Sequence, residues 1–319
     1  MQRSEREPDH RFWAKVDKTL RFHGRRAGRR LRAAWWDLRR MPAVRPVFVV
    51  GCSRAGTTLV YKTFSESPEL GSLQKETHDF WMDLHPLESR DWESHVLRAS
   101  DATEKDRNRA TRLFYSETGM RRFVDKNNQN GLCVPFLQAL WPDAHFVYVK
   151  RSPGDNINSL MQGWRRPEEF ATWSDAIPEK VAVDQGELSR WCFFLPEGWR
   201  NYLSAPLEQV CAYQYRAMNE SILTAREAVD PDRWVEVAYE DLLRDPVNAF
   251  AAAYDACGMI FSTEVRRHCE TVLKRPYNAF SEIRLEKWRE GADRERIEKV
   301  LPSVEAVAQR MGYGSIGPG

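Results

Sequence analysis

Eight residues carry the first chemical signal: Gly51-Cys52-Ser53-Arg54-Ala55-Gly56-Thr57-Thr58. They follow an apolar run, Val47-Phe48-Val49-Val50, and open a stretch with helical periodicity. Two glycines with four residues between them permit a tight turn. Its amides, with the N-terminus of the helix behind it, make a cradle for an anion. A nucleoside-triphosphatase loop of this spacing places Lys directly after the second Gly. Here that position is Thr57, and the cation lies inside the turn, at Arg54. A γ-phosphoryl donor calls for dense positive charge, usually Mg²⁺ with Lys. One guanidinium and several N–H groups suit a shorter anionic chain. A second cation pair, Lys150-Arg151, closes the apolar run His145–Val149. Ser159 follows Arg151 about two helical turns on, so Arg and hydroxyl can grip a separate phosphate.

Together these segments resemble the sulfotransferase family. Residues 46–59, from Pro46 to Leu59, look like its 5′-phosphosulfate loop. Phe146–Asp155, continuing through Ser159, looks like its 3′-phosphate motif, including the interval between Arg and Ser. Trp234–Leu242 resembles the later strand whose tyrosine lies by the adenosine. The likeness runs over roughly residues 46–290. It implies 3′-phosphoadenosine-5′-phosphosulfate as co-substrate, with no metal. It implies that Ser53, Arg54, Ala55, Gly56, Thr57 and Thr58 bind the phosphosulfate, and that Arg151 and Ser159 bind the 3′-phosphate. Tyr239 approaches the adenosine, and Lys287, in Glu286-Lys287-Trp288, resembles a late basic residue on the nucleotide.

Sulfonate transfer needs a base for the acceptor hydroxyl and positive charge at the leaving oxygen. Arg54 supplies fixed charge, and Lys126 ends a strand that points at the same oxygen. The familiar cytosolic members place Lys-Thr-His here, with His as base. This chain has Lys126-Asn127-Asn128. The Lys matches and the base is absent. Glu76, in Lys75-Glu76-Thr77-His78-Asp79, resembles the catalytic Glu of carboxylate-base members. Phe80 and Trp81 are the apolar neighbours expected to raise its pKa. His78 is the second candidate, on the same face if the chain stays extended. The resemblance leaves the acceptor open among carbohydrate, glycolipid and other small molecules. The rival readings are a P-loop kinase using ATP and a catalytically inactive nucleotide-binding interaction protein.

These residues require a scaffold. Apolar runs at 47–50, 145–149 and 234–237 alternate with helical patterns at 57–67, 155–164, 206–228, 240–257, 262–274 and 293–311. Arg122–Lys126 and Leu70–Glu76 are further strand candidates, and helices are expected at 90–118 and 130–141. The alternation predicts an α/β fold: a P-loop-like doubly wound parallel sheet flanked by helices, with ligands at the carboxyl ends of the strands. Residues 165–204, rich in Trp, Phe, Pro and Gly, read as an irregular insert on the acceptor side. Trp164, Trp173, Trp191, Phe193, Phe194 and Trp199 either wall an acceptor pocket or form a satellite core.

The chain has 319 residues and a net charge of +2, yet residues 1–45 hold 14 Lys/Arg against 5 Asp/Glu. That segment reads as a basic arm before a domain spanning 46–319. Residues 11–40, with Phe12, Trp13, Val16, Leu20, Leu31, Trp35 and Trp36 among basic residues, read as a helix. It either packs its tryptophans on the domain or attracts anionic lipid. A nucleic-acid role lacks a companion motif. Six dispersed cysteines with no CxxC spacing argue against zinc. No apolar run approaches the ~20 residues of a membrane span. The expectation is a reduced, cytoplasmic enzyme, peripheral on a membrane if the arm binds lipid.

Overall fold

The computed structural model describes residues 26–274 and 283–314. Its centre is a four-stranded sheet: β1 (Val47–Gly51), β2 (Val124–Lys126), β3 (His145–Lys150) and β4 (Trp234–Ala238), in the order β2-β1-β3-β4. Every pairing is parallel, with Val47 opposite both Val124 and His145, and Phe146 opposite Trp234. β1 and β3 therefore sit side by side while their outgoing connections leave in opposite directions. That is the switch point at which such sheets open a crevice.

The strands are apolar on both faces because both faces are covered. Phe48, Val50, Phe146 and Tyr148 enter one core, and Val47, Val49, Val147 and Val149 the other. The described helices are α1 (26–39), α2 (Thr57–Phe64), α3 (His78–Leu84), α4 (Glu104–Thr118), α5 (Val134–Leu140), α6 (Pro153–Trp164), α7 (Pro167–Phe170), α8 (Leu207–Arg226), α9 (Tyr239–Arg244), α10 (Pro246–Ala256) and α11 (Thr263–Thr271). Two further short helices, Arg294–Val300 and Glu305–Arg310, are joined by a 3₁₀ turn. The doubly wound α/β reading thus holds.

Several local expectations do not hold. Leu70–Glu76 is no strand: only Gly71 makes a bridge, to Phe123. The helix expected over 90–118 starts at Glu104. There Thr103 and Asp106 cap one another reciprocally, Thr103 Oγ1 accepting from the Asp106 amide at 3.1 Å and Asp106 from the Thr103 amide at 3.2 Å. The 240–257 helix breaks at Asp245-Pro246, where Asp245 caps a new start by accepting from the Asn248 amide at 3.1 Å. The aromatic insert is mostly core. Trp164, Trp191, Phe194 and Trp199 are fully buried, and Trp164 and Trp191 pack edge to face at 5.3 Å. Residues 11–25 of the arm lie outside the described residues. All six cysteines are buried and unpaired. Among the described residues no helix is long and apolar enough to cross a membrane.

Candidate active site

A cleft of about 330 Å³ lies over the carboxyl ends of the strands, and it collects Ser53, Arg54, Gly56, Thr57, Thr58, Glu76, His78, Lys126, Arg151, Ser159, Tyr239 and Lys287. These residues are far apart in sequence and meet only because the parallel sheet brings its strand ends to one edge. Of the donor-binding and catalytic candidates singled out from sequence, Ala55 alone does not line the cleft. It is buried, and its amide closes the turn on the Cys52 carbonyl at 3.1 Å instead of facing outward.

The 51–58 loop is shaped by two left-handed residues. Gly56 has φ 101° and supports the Tyr239 ring so closely that a Cβ there would lie 2.4 Å from Tyr239 Cδ2. Arg54 has φ 68°, a sparsely populated conformation for a residue with a side chain. No side chain caps the start of α2, so its first amides face the cleft without a competing internal acceptor.

The loop after β3 interlocks with it. Arg151 Nη1 donates to the Arg54 carbonyl at 2.8 Å, and its guanidinium lies 4.4 Å from the Tyr239 ring centroid. Arg54 Nε donates to Ser159 Oγ at 3.3 Å, and Asn156 Nδ2 donates to the Ser53 carbonyl at 2.9 Å. The two anion-binding segments read from the sequence are therefore one hydrogen-bonded unit. Arg151 Nε and Ser53 Oγ are buried with no hydrogen-bond partner among the described residues. Buried donors of this kind are costly unless something accepts from them.

The cations crowd one another. Burial, and then the Arg151 charge, pull the Arg54 pKa down to about 10. The same two causes lower that of Lys287. Burial raises the Tyr239 phenol above its ordinary range, against the pull of Arg151. Lys126 sits at the end of β2, 3% exposed, and its ammonium meets Glu76 Oε1 at 2.5 Å and Thr58 Oγ1 at 3.4 Å. Glu76 is thus tied directly to Lys126. The neighbour expected from sequence, Trp81, turns away: its indole N–H donates to Asp125 Oδ2 at 3.1 Å and its ring packs on Phe136 and Trp141. His78 begins α3 in place of continuing an extended chain, yet it still reaches the cleft.

Sequence reasoning missed Gln162, Glu169, Phe170, Asn128 and Arg284 as lining residues. It also gave Asp155 no task. That buried carboxylate accepts from the Glu286 amide at 2.7 Å, while Trp288 packs on Gly154, where a Cβ would lie 2.4 Å from Trp288 Cε2. These two contacts dock the segment carrying Lys287 onto the start of α6. The Arg-Ser-Pro-Gly-Asp run held the available signal, since a buried Asp beside a cation cluster needs a partner. Of the aromatic insert, Phe193 reaches the cleft, together with Phe170, which lies 5.3 Å below the Arg54 guanidinium.

A parallel sheet thus carries a glycine-turn loop after its first strand, facing a second Arg/Ser motif after its third, the architecture of an α/β protein with a cationic cleft at its strand ends. Comparison with known proteins makes this specific. The model of the sulfotransferase family matches residues 46–195 and 187–263. The chain belongs to the sulfotransferase family, and it is a sulfotransferase enzyme. It is similar in fold to sulfotransferase STF9 from Mycobacterium avium: 16% identity, 91% of this chain and 84% of that one covered, TM-score 0.55. It is also similar to the sulfotransferase domain of the Synechococcus PCC 7002 olefin synthase: 17% identity, 86% and 97% covered, TM-score 0.50. No curated protein matches the chain.

Proposed function

We propose that the chain moves the sulfonate of 3′-phosphoadenosine-5′-phosphosulfate to an acceptor hydroxyl, with Glu76 as the base. The observation that carries this is the 2.5 Å contact of Glu76 with Lys126 in the cleft that also holds the 51–58 loop and Arg151. It sets one carboxylate and one buried ammonium beside the glycine turn.

The residues fit such a donor. Arg151 Nε and Ser53 Oγ are orphaned buried donors, and the pKa values of Arg54 and Lys287 are lowered first by burial and then by the Arg151 charge, so an anion bound among them offsets both effects. Arg54, Thr57, Thr58 and the loop amides hold the phosphosulfate; Arg151 and Ser159 hold the 3′-phosphate; Tyr239 and Lys287 flank the nucleoside. The acceptor oxygen forms a bond to sulfur while the bond from sulfur to the 5′-phosphate oxygen breaks. Glu76 takes the acceptor proton, and Lys126 and Arg54 stabilise the charge on the departing phosphate. Phe170, Phe193 and Gln162 give the acceptor an apolar wall with one polar group. That wall suits a ring or chain bearing a hydroxyl, including that of a glycan or lipid.

Calorimetry with 3′-phosphoadenosine-5′-phosphate, against ATP with Mg²⁺, tests the donor assignment. Binding of the former, lost in Arg151→Ala, is expected. Preference for ATP revives the kinase reading. Labelled donor with an acceptor panel then tests turnover.

A further inference from the structure

Among the described residues, the exposed large apolar side chains are Leu31, Trp35, Leu38, Val44 and Ile260. Three of the five lie on one helix, α1, at spacings of four and three, so they form a single stripe. They are 72%, 46% and 74% exposed. Ala27 and Ala34, also exposed, fall on the same face. This orientation is inverted for a surface helix, which ordinarily turns its apolar face to the core.

The inversion is held by polar contacts on the other face. Arg29 pairs with Glu117 at 2.9 Å, and Arg32 donates to the Ser116 and Glu117 carbonyls at 2.8 and 3.0 Å, at the carboxyl end of α4. Arg112 grips Asp37 with two bonds, 2.7 and 2.8 Å, and the Trp36 ring is buried with its N–H on the Met41 carbonyl at 2.9 Å. α1 is thus anchored by one face and cannot roll to bury the other. Arg30 and Arg39 border the stripe, and the Arg39 guanidinium lies 4.9 Å from the Trp35 ring centroid.

We infer that α1 is a docking face for an anionic phospholipid surface. Leu31, Trp35 and Leu38 enter the headgroup region, and Arg30 and Arg39 meet the lipid phosphates. Three large side chains on a convex helix fall short of the ~800 Å² per partner of a stable protein interface. A shallow apolar stripe bordered by arginines is what an interfacial helix requires. The charge of the surrounding segment agrees, with 14 Lys/Arg against 5 Asp/Glu over residues 1–45.

The test is co-sedimentation of the full chain with sucrose-loaded vesicles, of phosphatidylcholine alone or with about a third phosphatidylglycerol. Wild type should pellet with the anionic vesicles and be released by salt. Leu31→Glu/Trp35→Glu/Leu38→Glu should lower partition at least about tenfold. Ile260→Glu, an equally exposed site elsewhere, should leave it unchanged. The three positions face outward, so an unchanged melting temperature and unchanged nucleotide binding establish that the triple variant is folded. Equal pelleting of wild type and triple variant overturns the inference, and so does pelleting that ignores lipid charge. A wild-type dimer that the triple substitution dissociates, with no vesicle binding, also overturns it and assigns the face to a second copy.

Discussion

Glu76→Gln is the substitution that separates the proposed base from a structural salt bridge. It keeps the shape and still lets Lys126 donate, but it removes the charge and the basic oxygen. At an effective dielectric near 20, unit charges at this separation attract by roughly 6–7 kcal/mol before desolvation is counted. Glu76 is 28% exposed, and a neutral acceptor remains for the ammonium, so the net cost to stability is about 1–2 kcal/mol. That corresponds to a fall in Tm of about 2–4 °C. Loss of a general base costs about 10²–10⁴ in rate, roughly 3–5 kcal/mol of barrier. The two magnitudes differ enough to be read apart. Single-turnover transfer from labelled donor should collapse, while calorimetric affinity for 3′-phosphoadenosine-5′-phosphate changes by less than about threefold, because Arg151, Ser159 and the loop are untouched. Glu76→Asp, with charge retained and reach shortened, should recover part of the rate. A Gln variant that transfers within threefold of wild type refutes the assignment and returns His78 to consideration. Equal loss of binding and transfer means that the pair only shapes the cleft.

Gly56→Ala places a methyl 2.4 Å from Tyr239 Cδ2, so the ring must move by about 1 Å. At φ 101° the new residue also carries strain of about 1–2 kcal/mol; nucleotide affinity should fall at least tenfold, and a calorimetric titration checks it. Arg151→Lys keeps one charge but loses the planar fork that joins the Arg54 carbonyl to the cleft. It should weaken 3′-phosphoadenosine-5′-phosphate by about tenfold or more while adenosine-5′-phosphosulfate, which lacks the 3′-phosphate, is affected less. His95 is buried, with Nδ1 accepting from the Leu195 amide at 2.7 Å, and burial holds its pKa near 3. Its folded pKa lies below the unfolded value, so the unfolded chain binds the proton first as pH falls from about 6.5. Stability should therefore drop by on the order of 2 kcal/mol between pH 7 and 5. Denaturant melts of wild type and His95→Asn should show the slope flattened in the variant, and an equal slope in both would dismiss His95 as its source.

What the sequence determined was local. The run from Val47 through Thr58 is a strand, a turn and a helix start in consecutive residues. Its apolar run, its glycine spacing and the displaced cation were all visible without a structure. The β3 segment with Arg151 and Ser159 was visible for the same reason, since Arg and Ser share one strand-to-helix passage. Residues whose placement depends on distant partners were not. Leu70–Glu76 was placed as a strand by its position in the alternation, but it holds only Leu70 and Leu73 as large apolar residues; the sheet edge offers it one bridge, at Gly71, and it stays irregular while still delivering Glu76. The pairing of Glu76 with Lys126 spans fifty positions. The docking of Glu286 on Asp155 spans still more. Both are set by the tertiary fold: Glu76 is delivered by an irregular segment to the end of β2, and Glu286 by a distant segment to the start of α6. The insert's aromatics were compatible with a pocket wall but read more readily as a satellite core; Trp164, Trp191, Phe194 and Trp199 are buried as core, and Phe193 is left at the cleft. For α1, composition announced a basic helix with tryptophans. Only the contacts of Arg29, Arg32 and Asp37 with α4, together with the burial of Trp36, decided that its apolar stripe faces out. Short-range chemistry is written in neighbouring residues; which faces meet is a property of packing, and packing is settled only when the whole chain competes for the same core.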